Sequence, residues 1–289
     1  MDDQGHDFLI ELKSLSKEEK KNSEFYTVGD TNAQRKYLGH RTASDWVGFF
    51  IPHLRRGTNL LDCGCGVGSI TLDLATIASP GNVVGIDLDY EQLNFARTEA
   101  VRRSVKNVRF EHASVYELPF PDSSFDAVLA HTLLMHLNDP PKALREMRRV
   151  LKKPGGVIGV FDDDFGSFFF SPPTPLLEKA TKLLINVIEL NGGSPFYSRN
   201  LRHLLLEAGF NKTEGHAVAA EYYGTLEETK RFADAYIGVI RRQLSKTIDD
   251  DNELPDKGMI EEIIDEVRSW GARSDAFHAV MYCAALGWT

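Results

Sequence analysis

The feature that most constrains the fold is an alternation that begins near residue 58. Short apolar runs, NLLDC (59–63), NVVGID (82–87), VRFEH (108–112), DAVLAH (126–131) and VIGVF (157–161), are separated by stretches with helical periodicity. Strands that alternate with helices of this length pair in parallel, because the chain must cross the sheet face before it starts the next strand. Runs that are apolar throughout fit a sheet covered on both faces. The expectation is an α/β fold, a doubly wound, Rossmann-like sheet of seven strands with helical cap segments at both ends.

The intervening helices have readable limits. One starts near Ser69, with Ile70, Leu74 and Ile77 inward. The next follows Asp89, which with Gln92 reads as a capping box. A third opens at Asp139-Pro140-Pro141 and stops at Pro154-Gly155-Gly156. Residues 41–54 (RTASDWVGFFIPHL) read as helical, and residues 6–21 as an amphipathic helix. After 165 the alternation loosens. FGSFFFSPPTP is aromatic and proline-rich, helices are predicted over 176–191, 198–208, 226–244 and 258–270, and strands over 212–223 and the final DAFHAVMYCAALGW. This divides the chain into an N-terminal lid (1–45), an α/β core (46–165) and a cap with the last two strands (166–289).

LLDCGCGVGS (60–69) joins the first strand to the first helix. Glycines at 64, 66 and 68 permit positive φ and close approach of a ligand to the backbone. Ligands of open parallel sheets bind at the carboxyl ends of the strands. A dinucleotide turn reads G-x-G-x-x-G. Here Gly68 comes two residues after Gly66, and Ser69 stands where the rival's third glycine would be. Asp87 ends the next strand and can accept from ribose hydroxyls.

Bulk properties narrow the partners. The 289 residues carry 42 acidic and 33 basic side chains, a formal charge of -9, which disfavours a sequence-independent grip on nucleic acid. The N-terminus has no apolar signal core and no stretch approaches a membrane span, so a cytoplasmic location is the default expectation. The three cysteines, Cys63, Cys65 and Cys283, form neither a disulfide framework nor a zinc pattern, and no metal is expected.

LLDCGCGVGS, VVGIDLD, ELPFPDSSFDAVLAH and RRVLKKPGG, in this order and spacing over about residues 58–160, resemble the class I S-adenosylmethionine (SAM)-dependent methyltransferases, in particular the branch near the ubiquinone/menaquinone-biosynthesis C-methyltransferases. The resemblance implies SAM as cofactor. Asp62 with Gly64, Cys65, Gly66 and Gly68 would hold its methionine portion, partly through backbone groups. Asp87 would bind the ribose and Leu88 pack against adenine. In Ala113-Ser114-Val115, Ser114 replaces the family's usual Asp; Ser114 and Val115 stay cofactor-binding candidates, and the contact to the adenine amino group is weaker or comes from Glu117 or the backbone. His131 would sit near the methionine end, and Arg41 would either meet the SAM carboxylate or cap a helix.

Methyl transfer needs a base only where the nucleophile loses a proton. His131 and Asp163 are the candidate catalytic residues, with His136, Asp162 and Asp164 as further choices. Phe165, Phe168, Phe169 and Phe170 either line an apolar acceptor pocket or form core, and Tyr26 and Tyr37 belong to the lid. The expected partner is a small-molecule acceptor, and a homo-oligomer stays open. The rival readings are a protein or RNA methyltransferase, an aminopropyl transferase using decarboxylated SAM, and a non-catalytic module of the same fold.

Overall fold

The structure is a computed structural model that describes residues 38–190, 192–247 and 255–289. The amphipathic stretch 6–21, Tyr26, Tyr37 and most of the expected lid lie outside the described residues.

Five parallel strands form the centre. They are β1 (Leu60–Cys63), β2 (Val83–Asp87), β3 (Val108–His112), β4 (Ala127–His131) and β5 (Val157–Asp163). Their order is β3-β2-β1-β4-β5, so the direction of winding reverses between β1 and β4. Helices α2 (Ser69–Ala78), α3 (Tyr90–Arg102) and α4 (Pro140–Val150) make the crossovers, after a short α1 (Ala43–Trp46). α1, α2 and α3 pack on one face, where Trp46, Ile70, Leu74 and Leu93 are buried. α4 covers the other face with Leu144 and Met147. β1 and β4 are buried along their full length, whereas the edge strand β3 buries only Phe110 of its five residues. That difference is what a central and an edge lane of a covered sheet require.

Beyond β5 the chain adds β6 (Phe169–Ser171), α5 (Pro175–Leu190), α6 (Leu201–Glu207), β7 (Lys212–Tyr223), α7 (Leu226–Thr247), α8 (Lys257–Gly271) and β8 (Phe277–Trp288). β8 lies antiparallel to β5 on one edge and to β7 on the other. β6 was not foreseen, which makes eight strands. Its pairing explains why the sheet is still seven lanes wide. β5 uses β8 from Trp288 to Tyr282, and β6 resumes on the same edge from Ala279 to Phe277. A turn at Phe165–Ser167 breaks that lane. The ends of β7 and β8 thus run past the carboxyl edge of β5. There α5, α7 and α8 form a second core with Phe165, Phe170, Phe232, Tyr236 and Trp270.

Two local expectations are corrected. Residues 41–54 are not one helix but α1 followed by a single 3-10 turn at Ile51–His53. Pro52 has no N–H to give and its ring opposes a continuing helix. The capping box at α3 is half formed. Asp89 accepts from the amides of Glu91 and Gln92, but the Asp89 amide donates to Asp87 Oδ1 instead of to Gln92. The Gln92 side chain is turned inward, with its Oε1 beneath Gly66.

Candidate active site

The glycine turn has the shape its spacing requires. Gly64, Gly66 and Gly68 have φ of +72°, +52° and +75°. A Cβ on Gly68 would stand 2.7 Å from Ala96 Cβ and 2.9 Å from Phe110 Cζ, so both conformation and space exclude a side chain there. Gly85 on β2 makes room for the Cys65 sulfur and Phe110 in the same way.

The turn's amides are largely spent inside the protein. Gly64 and Cys65 donate to Ile86 O, Gly68 donates to Cys65 O, and Gly66 donates to Asp87 Oδ2 at 2.8 Å. These four amides therefore already have partners within the protein. What the turn offers is bare backbone at close range and carbonyl oxygens, which suit a hydrogen-bond-donating cation better than a pyrophosphate.

Two carboxyls stand behind the turn. Asp62 is buried and accepts from the Thr71 hydroxyl at 2.6 Å. Burial pushes its pKa up to about 7, against the pull of the Thr71 bond, and the nearby Asp87 adds to the rise. Asp87 is raised for the same first reason. Its two oxygens each take one backbone donor, from Gly66 and Asp89, which leaves each with further acceptor capacity. The charge of Asp87 adds to the rise at Asp62, and a positive ligand beside the two would relieve it. Leu88, next to Asp87, is 45% exposed at the rim. Burial pushes the Cys63 and Cys65 thiols up, with the charges of Asp62 and Asp87 adding, so neither is an activated nucleophile.

Ser114 is engaged in a local turn, where its Oγ accepts from Tyr116 N at 3.2 Å. Val115 is buried in the core on the α4 face, so its side chain packs there and is not spread at the rim. Glu117 is exposed. Thr42, not Arg41, is the N-cap of α1. The Arg41 guanidinium lies 3.8 Å above the Trp46 ring and is close enough to His131 to act on its charge. Trp46 meets His131 edge-on at 5.4 Å, so the segment around α1 closes over the end of β4. Ser69 Oγ–H donates to Leu38 O, and Asp73 accepts from Ala43 N, which ties that segment to α2. Trp46, Leu133 and the inward Gln92 belong to this corner and were not singled out from sequence. Only Trp46 carried a signal, as an aromatic on an apolar helical face.

The candidate bases separate. His131 is 7% exposed and stacks on Phe161 at 5.2 Å. Burial, then Arg41, hold its pKa well below the usual histidine value, so it is neutral and a poor store for a proton. His136 is buried in the turn after β4 and lowered to about 4 by burial. Asp164 is committed elsewhere, paired with Arg199 and capping the turn that breaks the β5 lane. Asp162 is fully buried with its pKa raised by burial, on the α4 side, and the amides of residues 133–135 face it. Asp163, half-buried at the end of β5 opposite Tyr282, alternates to the Trp46 and His131 face. Of the four phenylalanines, Phe165 and Phe170 are core, Phe168 is half-buried where the two cores meet, and Phe169 is exposed. Among the described residues no group of side chains is placed to hold a metal ion, and no helix is long and apolar enough to cross a membrane.

Comparison with known proteins agrees with this geometry. Residues 61–159 match a methyltransferase domain family. An uncharacterised methyltransferase of Schizosaccharomyces pombe is 30% identical over 241 residues, 80% of this chain and 84% of the relative. A demethylmenaquinone methyltransferase of Listeria monocytogenes is 38% identical over 113 residues, 39% of this chain, and the match spans about half (47%) of that relative. A SAM-dependent methyltransferase from Aquifex aeolicus has the same fold, with a TM-score of 0.50 and 20% identity over 66% of this chain and 93% of that one. A strand order that reverses at the glycine turn, a match across that half and a relative alike over most of its length agree: the chain belongs to the SAM-dependent methyltransferases.

Proposed function

We propose that this enzyme methylates a small-molecule acceptor at the carboxyl edge of β1, β2 and β4. One observation carries the reading. Three left-handed glycines lay bare backbone beside the buried Asp62 and the half-buried Asp87, two carboxyls whose pKa values burial raises. SAM supplies, when bound, a methyl group already activated on a sulfonium.

Each residue has a part in holding that group. Asp62 and the turn at 64–68 face the amino-acid portion, and Asp87 offers its free acceptor capacity to the ribose hydroxyls. Leu88 offers an apolar rim to the adenine, with Ser114 and Val115 on the next strand's loop, and Arg41 would meet the SAM carboxylate. Trp46 and the segment tied to α2 exclude water from the end of β4. In a dry site the field of fixed groups is strong, and holding two reactants in line can supply roughly 7–11 kcal/mol of a barrier. Asp163 is the carboxylate on the correct face to take a proton where the acceptor must lose one.

A small acceptor is supported by the -9 charge and by cap helices gathered beyond the carboxyl edge of β5. The Listeria relative acts on demethylmenaquinone by its name, but the likeness spans the cofactor half, so it supports the donor chemistry rather than one acceptor. The decisive experiment titrates SAM and S-adenosylhomocysteine into wild type and Asp87→Ala by calorimetry. At least tenfold weaker binding to the variant is expected, and equal affinity overturns the assignment. A screen of metabolite extracts with a labelled methyl group then identifies the acceptor.

A further inference from the structure

One buried polar atom at the end of β4 has no partner among the described residues: Nε2 of His131. A buried acceptor without a partner is uncommon, and a ligand is one way to complete it. The walls around it are aromatic. Trp46 and Phe161 contact the imidazole, Phe161 stacks on Tyr282 at 4.8 Å, and Phe49 stacks on Phe161 at 5.6 Å.

The other ring nitrogen fixes what Nε2 can do. Nδ1 lies 3.2 Å from Thr132 Oγ1, and the backbone carbonyl of His131 also faces the ring. With its proton on Nδ1, the ring donates on that side and the Thr132 hydroxyl accepts beside it. Nε2 is then a bare lone pair. Thr132 holds this arrangement at a conformational cost. Its φ is +49°, in the left-handed region that a β-branched residue avoids, and its N–H donates to Phe161 O at 2.7 Å. Strain of this kind persists where the surroundings impose it, often at functional sites.

We propose that His131 and Thr132 form a hydrogen-bond-accepting subsite for a small aromatic acceptor that brings its own O–H or N–H. Thr132 acts as a positioning residue that fixes the imidazole tautomer. This rests on the methyltransferase reading above and narrows its acceptor. His131 receives a hydrogen bond at Nε2 and does not take up the acceptor's proton, in line with its neutral, buried state. An acceptor of the same shape without a donor leaves Nε2 unpaired and is rejected, which discriminates more sharply than apolar fit.

The test uses the full chain with S-adenosylhomocysteine, labelled with ¹⁵N at histidine, and two probes of similar shape, phenol and anisole. In wild type the His131 resonances are expected to show Nδ1 protonated and Nε2 bare. Phenol is expected to bind about tenfold or more tighter than anisole and to shift Nε2. With S-adenosylhomocysteine saturating each variant, His131→Phe should bring the two probes within twofold of each other. Thr132→Val should mix the tautomers and reduce the preference for phenol, and Thr132→Ser should restore both. A protonated Nε2 in wild type, equal binding of the probes, or an undiminished preference in His131→Phe overturns the proposal. Should His131→Phe fail to fold, the wild-type resonances and the Thr132 pair still decide it. Failure of wild type to bind S-adenosylhomocysteine would instead count against the methyltransferase site itself.

Discussion

The two halves of this molecule are specified in different ways. Between Leu60 and Asp163 the functional information is in backbone geometry: three left-handed glycines, an amide bonded to Asp87, and a reversal of strand order. Beyond Phe165 it is in side-chain packing, where Phe170, Phe232, Tyr236 and Trp270 fill the space between α5, α7, α8 and the ends of β7 and β8. A turn that must approach a ligand tolerates few residue types, whereas a core is filled by many combinations of similar volume. The methyltransferase domain family matches the first half, whereas the likeness to the Schizosaccharomyces pombe relative spans both.

The comparison can be broken most easily at Trp270. Its indole is buried and donates from Nε1 to Ser171 O at 3.0 Å. Trp270→Ala should cost about 3–5 kcal/mol in urea unfolding. Binding of S-adenosylhomocysteine should stay within threefold below the transition, and a parallel loss would show that the halves are one unit. The opposite outcome is expected at Gly68. Gly68→Ala adds a left-handed alanine and a clash with Ala96 and Phe110, about 2–4 kcal/mol together. It should reduce cofactor affinity well beyond what the loss of stability explains.

A third experiment uses pH. The folded pKa of Asp62 is raised from 3.8 to about 7, so between those values the folded protein holds a proton that the unfolded chain releases. Stability from this group is full below pH 4 and is lost as pH rises toward 7, with a slope of at most about 1.4 kcal/mol per pH unit. Asp62→Asn should flatten that part of the profile in thermal unfolding, and an unchanged slope would place the titration elsewhere. The smallest effect is expected at Arg199→Ala. Its ion pair with Asp164 is half in solvent, so the unfolding midpoint should barely move, with cofactor binding unaltered.

Much of the first half was legible because local rules and global fold agree there. The positive φ at Gly64, Gly66 and Gly68 and the start of α4 at Asp139 follow from spacing alone. The pairing of Asp164 with Arg199 was not legible, since the partner lies 35 residues away and neither residue has a local reason to seek the other. Nor was the turn's use of its own amides, which depends on Ile86 O and Asp87 arriving from the next strand.

The amino-acid order by itself determined the strand–helix alternation, the glycine turn and the carboxylate that follows it, because each rests on neighbours a few residues apart. Only the tertiary structure decided that Asp162 is buried, that Asp164 pairs with Arg199 and that Asp163 ends β5 opposite Tyr282, and that His131 ends as a neutral ring among Trp46 and Phe161. Those outcomes depend on burial and on the face of the sheet to which a side chain points. Both are set by groups that meet only when the sheet closes.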